Sequence, residues 1–352
     1  MKSESGFSLI ELLVAMTVML LISGAAVTAM LKLSTTQSTI WNRTQMHSGI
    51  RGATEVLQQE VGQAGRIALI SGSATCIYNT SAPCLASGSS VPASSSAQTL
   101  TVNVTSICGM FIGEKLAVDI GANEETVTIS QINTALSDPT SAQCPTGSTV
   151  TPGSITATFL APSGHAQYTP LQALGGFIQG VIPSYAAPSS ITNGSTEAVL
   201  KLFGDINADG NMVYVEYSVS PACICTSTCS PSTTTGNLYR NSMSWNSASK
   251  TPASASQILL GNVTQNPNGS ACFTYQEKQV GTDWYVTDVA VTLTVQTQQM
   301  DPVTKSFQTE TKALLNVSPR NVFNTWELAN DTYTDRNQAT PATITTLIAG
   351  PS

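Results

Sequence analysis

Charge is scarce in this chain. Asp, Glu, Lys and Arg make up only 10% of 352 residues, and the formal net charge is −7. The Lys and Arg residues are scattered singly, with no basic run, so a nucleic-acid tract is not expected. The acidic balance also argues against electrostatic attraction to anionic membranes. Only two histidines occur, His47 and His165, and neither sits beside a nucleophile motif. Both read as surface residues. G-x-S-x-G and glycine-rich phosphate loops are absent. The paired acids Glu124 and Glu125 fall at a turn and strand start. Adjacent strand side chains point to opposite faces, so the pair reads as solvated surface. Side-chain catalysis therefore has little support, and no enzymatic activity is expected.

What is present is concentrated near the N-terminus. A polar leader, MKSESG, stops at Gly6, and the run FSLIELLVAMTVMLLISGAAVTAML begins at Phe7. The run is long enough to cross a bilayer as a helix, which takes about 20 apolar residues. It holds one acid, Glu11, and no Lys, Arg or His. A charge in such a run is costly and usually functional.

The string G-F-S-L-I-E-L, with its spacing and its distance from Met1, resembles the class III signal of type IV pilins and type II secretion pseudopilins. The resemblance implies that a prepilin peptidase cuts after Gly6. Phe7 then becomes the N-methylated first residue, and Glu11 pairs with a neighbouring subunit's terminal amine as filaments assemble. The physics is compatible. A buried carboxylate needs a cation or a proton, and cleavage frees an amine at Phe7. Two other readings compete. One is a secretory signal peptide with Lys2 as its positive region and a cut after Val27-Thr28-Ala29. The other is a plain signal anchor that never enters a filament.

Eight cysteines follow the helix: Cys76, Cys84, Cys108, Cys144, Cys223, Cys225, Cys229 and Cys272. An even count beyond a membrane segment suggests disulfides in an oxidising compartment such as the periplasm. Short loops suggest Cys76–Cys84 and Cys108–Cys144, with the remaining four pairing among themselves. A zinc site is the alternative, but paired C-x-x-C motifs and a nearby His are lacking around Cys223.

Proline is missing from Lys32 to Ile70, while Ile50, Ala53, Leu57, Ala64 and Ala68 recur at helical spacing. The helix is expected to run from Phe7 to Ile70, about 96 Å. A break near Ser34-Thr35-Thr36 would divide it into two. Residues 71–97 are rich in Ser, Gly, Ala and Pro. Period-two strands are expected at 99–104, 115–120, 125–132 and 154–160, as an inserted all-β module over 98–170. More strands follow at 197–203, 212–219, 237–242, 257–263, 271–276, 284–296 and 306–317, the last two forming a hairpin with a wide turn at Asp301-Pro302. The end, 324–352, reads as a loosely held tail.

The strand MVYVEYSV, Leu238-Tyr239-Arg240, Leu260-Gly261-Asn262-Val263, Cys272-Phe273-Thr274-Tyr275 and Pro319-Arg320-Asn321-Val322 resemble PilW- and GspJ-type minor pilins. The resemblance implies an α+β pilin-like fold: a long N-terminal α-helix, membrane half plus amphipathic half, packed on a β-rich disulfide-containing head. Its divisions are 1–6 leader, 7–33 filament-core helix, 34–70 amphipathic half, 71–97 cysteine loop, 98–170 module, 171–323 head and 324–352 tail. It also implies a structural subunit of a type IV pilus that primes assembly or sits at the tip. The alternatives are a type II secretion pseudopilin and a tip adhesin. Implied partners are a prepilin peptidase, other pilins and, before assembly, the inner membrane.

Asp205, Asn207 and Asp209 follow the spacing of a calcium loop, with Glu216 further on. Alternation at Val213, Val215, Tyr217 and Val219 puts Glu216 on a strand. A partial calcium site or a plain turn rich in Asn, Asp and Gly are the two readings. No other cofactor is expected. Asn-x-Ser/Thr triplets such as Asn103-Val-Thr105 arise by chance in a chain so rich in Ser and Thr.

Overall fold

The computed structural model describes residues 8–68, 76–77, 83–133, 152–184, 193–226, 235–250 and 256–350. One helix, α1, spans Leu9–Gln63 without a break and is about 82 Å long. The polar triplet at 34–36 does not interrupt it. Thr35 and Thr36 both donate their hydroxyls to the Lys32 carbonyl, so their polar groups are satisfied inside the helix.

The helix ends at Gln63, seven residues short of the expected Ile70, and the amphipathic half is shorter by the same amount. Gly65 is the cause. It takes a positive φ of 81°, and a side chain there would meet Val322. Its N–H donates to the Phe203 carbonyl and its carbonyl accepts from Phe177. The Asn321 side chain donates to the last carbonyls, Gln63 and Ala64.

Five antiparallel strands form a first sheet: β1 (Gln98–Val104), β2 (Lys115–Val118), β3 (Glu125–Asn133), β4 (Gly153–Phe159) and β5 (Leu171–Ala173), in the order β1-β4-β3-β2-β5. Their inward side chains, among them Val104, Leu116, Ile129, Ile155 and Phe159, make a separate core. Leu85 and Val91 join that core and bridge to Val104 and His165. The module therefore begins before residue 98 and takes in part of the cysteine loop.

After a short strand, β6 (Gly176–Phe177), the second sheet is built from β7 (Val199–Gly204), β8 (Val213–Ser220), β9 (Gly236–Ser244), β10 (Gln257–Thr264), β11 (Phe273–Val280), β12 (Asp283–Gln296) and β13 (Thr309–Val317). β12 is 14 residues long and serves three partners: β11 along 283–291, β10 at Thr294 and Val295, and β13 along 289–296. One face of this sheet receives α1. Ile50, Ala53, Leu57, Val61 and Ala64 share a core with Leu200, Val215, Tyr217, Leu238 and Val289.

The other face is covered by the C-terminal segment, so the expected loose tail is replaced by ordered structure. α2 (Arg320–Asn330) buries Val322 and Ala329 beside Tyr285. The short strand β14 (Asn337–Gln338) pairs with β6, and α3 (Ala342–Ala349) buries Ile344, Leu347 and Ile348 against Phe203, Tyr214 and Trp245. These three recur at helical spacing, so packing overrides the weak helix propensity of their Thr and Ile neighbours. A chain of rings, Trp245–Phe111–Phe177–Phe203, joins the module to the head, and Gln338 exchanges hydrogen bonds with the Lys115 backbone.

A buried polar contact fastens α1 to the second sheet. Glu60 is 8% exposed on the helix face that meets the sheet. Its carboxylate accepts from Arg240 on β9 at 2.7 and 3.2 Å and from the Tyr217 hydroxyl on β8. Burial and the Glu60 charge push the Tyr217 phenol well above its usual range. Glu60→Ala is expected to cost about 3–5 kcal/mol, because Arg240 is left half-buried without its counter-charge. Urea unfolding of the intact chain in detergent measures this, and Glu60→Gln should lose less.

Candidate functional site

The first 25 residues of α1, Leu9–Leu33, lie outside the head with their apolar side chains exposed. Within that stretch the polar groups are folded back. Thr17 and Thr28 donate their hydroxyls to the carbonyls of Val14 and Gly24. Glu11 sits in the first turn, where the helix dipole favours a negative charge. Its carboxylate accepts the Ser8 N–H at 3.0 Å, and the Ser8 hydroxyl accepts the Glu11 N–H at 3.4 Å. The reciprocal cap aims the carboxylate toward the start of the chain. Gly6 and Phe7, the expected cleavage and methylation residues, lie outside the described residues.

The acidic loop after β7 uses its side chains to hold its own backbone. Asp205 is buried, and its Oδ1 accepts from the N–H groups of Asp209 and Gly210 at 3.0 and 3.3 Å. Its Oδ2 faces the Arg66 guanidinium at 3.5 Å. Asn207 and Asp209 are exposed, and Asp209 accepts from the Asn211 N–H. A guanidinium thus stands where Asp205 would meet a cation. Among the described residues no group of three His, Cys, Asp or Glu could hold a metal ion.

Glu216 lies on β8, between two buried lysines. Lys250 approaches it at 2.8 Å and Lys201 at 4.0 Å, and the Tyr214 hydroxyl donates to it at 3.0 Å. Burial draws the Lys201 ammonium down to about 8 against the pull of Glu216. Lys201 also donates to the Asn193 carbonyl, and Lys250 to that of Gly350. The cluster ties the chain end to the sheet.

Two sequence expectations change here. His165 is buried, not superficial, with Asp119 at 3.3 Å and Glu125 at 2.8 Å from its ring nitrogens. Glu125 also accepts the Leu160 N–H, so it belongs to the module's framework and not to a solvated pair. His47 stays exposed on α1 and contacts Glu310.

Cys76 is bonded to Cys84, and Cys225 to Cys272. Cys108 and Cys223 are disulfide-bonded as well, while Cys144 and Cys229 lie outside the described residues. The bond between Cys225 and Cys272 joins the turn that follows β8 to the residue just before β11, 47 residues along the chain.

One family model matches the N-terminal segment. The prokaryotic N-terminal methylation motif matches residues 1–27. This chain is a type IV pilin-like prepilin. No curated protein and no solved structure matches it significantly. The motif implies processing by a prepilin peptidase and assembly with pilins, and it marks a subunit anchored in the inner membrane before it enters a pilus. The reciprocal cap at Ser8 and Glu11 lies inside this matched segment, so the prepilin carries its one membrane-level acid at the processing end of the helix.

Elsewhere in the prepilin, the Glu114 carboxyl is fully buried under Phe111. It accepts the Phe111 N–H at 3.3 Å through one oxygen, and the other has no partner among the described residues. Burial raises it to about 8. Above the ordinary carboxylate range the unfolded chain releases this proton while the folded chain keeps it. Glu114 therefore weakens folding progressively as pH rises toward 8. The intact chain is expected to gain stability in Glu114→Gln, more at pH 8 than at pH 5. Denaturant midpoints at the two pH values measure the difference, and an equal change at both would contradict it.

Proposed function

We propose that the protein is a minor pilin, a low-copy structural subunit that primes assembly of a type IV pilus or sits near its tip. The observation that carries this reading is the division of α1. Its first 25 residues project bare and apolar with a single acid, Glu11, while its second half is built into a head of two sheets. A carboxylate in hydrocarbon is tolerable when a cation reaches it. The free amine of a processed neighbour supplies one, and the bare flank of α1 supplies the packing surface. A head of this bulk suits few copies better than many along a slender shaft. The head lies on the periplasmic side before assembly, in keeping with its disulfides.

A type II secretion pseudopilin would use the same helix in the same way, and the genes beside this one distinguish the two. A binding role for the head draws on a recess of about 280 Å³ between α1 and β10, lined by Asn42, Gln45, Asn262, Gln296 and Gln298. This lining is rich in amides and carries no charge, which suits a neutral polar ligand. Calcium at Asp205, Asn207 and Asp209 is the weaker idea, given Arg66 beside Asp205.

Glu11→Ala tests the leading reading. Processing is expected to continue, because the Gly6–Phe7 bond is untouched, while incorporation into sheared filaments falls by an order of magnitude or more. Immunoblots of membrane and filament fractions measure both, and normal incorporation would count against the reading.

A further inference from the structure

We propose that the tip of the β12–β13 hairpin is a second membrane contact, which seats the head on the lipid surface next to the α1 span. This rests on the reading of α1 as the inner-membrane anchor. The hairpin runs down the side of α1 toward its apolar end. Glu310 meets His47, Gln308 accepts from the Arg43 guanidinium, and Asp301 lies beside Thr39 and Arg43. Each step down the strand matches about one turn down the helix. The tip residues, Val303 to Lys305, lie beyond Asp301. They fold as a closed turn, and Asp301 at its base stands beside Thr39 of α1. Leu33 ends the apolar run six residues before Thr39, so the base of the turn stands about 9 Å of helix rise from the hydrocarbon edge and the tip projects from there toward the headgroup layer.

The side chains at this level are those of an interface. Val303 is 72% exposed, Met300 49% and Phe307 44%. On the adjoining helix turn Ile40 is 60% exposed and Trp41 72%. Helical side chains lean toward the N-terminus, here the membrane end. Trp is the residue most at home at headgroup depth. The tip is also stiff. Asp301 accepts the N–H groups of Val303 and Thr304, and its backbone closes the loop with Ser306 and Lys305. A rigid loop that displays three large apolar groups is unusual unless something covers them.

Charge identifies the cover as an anionic lipid surface. The chain is acidic as a whole, yet this zone is not. Lys32, Arg43 and Lys305 are exposed here. The nearby acid, Asp301, is buried and engaged by its own loop. Lysine and arginine side chains near an anionic leaflet are attracted to it.

The test uses the intact chain in vesicles of phosphatidylethanolamine and phosphatidylglycerol, with one added cysteine carrying a nitroxide. No free cysteine competes among the described residues. Labels at Val303→Cys and, as a second site, Phe307→Cys are compared with Leu20→Cys in the span and Tyr333→Cys on the exposed head. At 303 and 307 the accessibility to a water-soluble nickel complex is expected to be severalfold lower than at 333, with oxygen accessibility between those at 333 and 20. Labels at 303 and 307 as water-exposed as at 333 would overturn the contact. So would dipolar broadening that shows a second copy on the tip. If the label at 20 itself lacks a lipid signature, the anchor reading fails instead, so the two failures are separable.

Discussion

The Glu60 carboxylate, held by Arg240 and the Tyr217 hydroxyl, fixes the register of a helix that has to satisfy two environments. Below the head, α1 is largely apolar and its side chains are exposed. Within the head it offers a single stripe, Ile50 to Ala64, to the second sheet. A slide by a helical turn would exchange Ala53, Leu57 and Val61, apolar side chains of different size, and would be opposed by packing alone. A buried ion pair does not slide without leaving two charges bare. This gives the exposed half of α1 a defined height and rotation relative to the head, and an assembly built on helix packing needs both.

The other end of the same problem is the helix terminus. Gly65 turns the chain out of α1 and hands its backbone to Phe203 and Phe177, while Asn321 caps the last carbonyls. Elements more than 100 residues apart in sequence therefore converge on one turn. The C-terminal helices complete the same junction, with Val322 against Gly65 and α3 sealing the far face of the sheet. The inserted module hangs from this frame through Phe111 and Lys115.

Much of this was legible in the chain because it is written locally. The apolar run with its single acid needs no tertiary context, and the alternation at Val213, Val215, Tyr217 and Val219 places β8 correctly. The end of α1 was not legible. Gly49, Gly52 and Gly62 are tolerated within the helix, and only contacts with distant segments distinguish Gly65 from them. The Thr-rich C-terminus reads as a tail because its helix is stabilised by aromatic neighbours from β7, β8 and a turn after β9. Glu60 with Arg240, and His165 with Asp119 and Glu125, are pairings across the fold that leave no local trace. For the processing site the situation is reversed, since its evidence is wholly in the sequence.

Pairing of Glu11 across subunits depends on one claim, that α1 begins its working life at a newly freed amine. Mass spectrometry of the N-terminal peptide, taken from cells with an active prepilin peptidase, tests that claim most directly. The expected chain starts at Phe7 with one added methyl group on its amine. A chain that starts at Met30, or one that keeps residues 1–6, would contradict it.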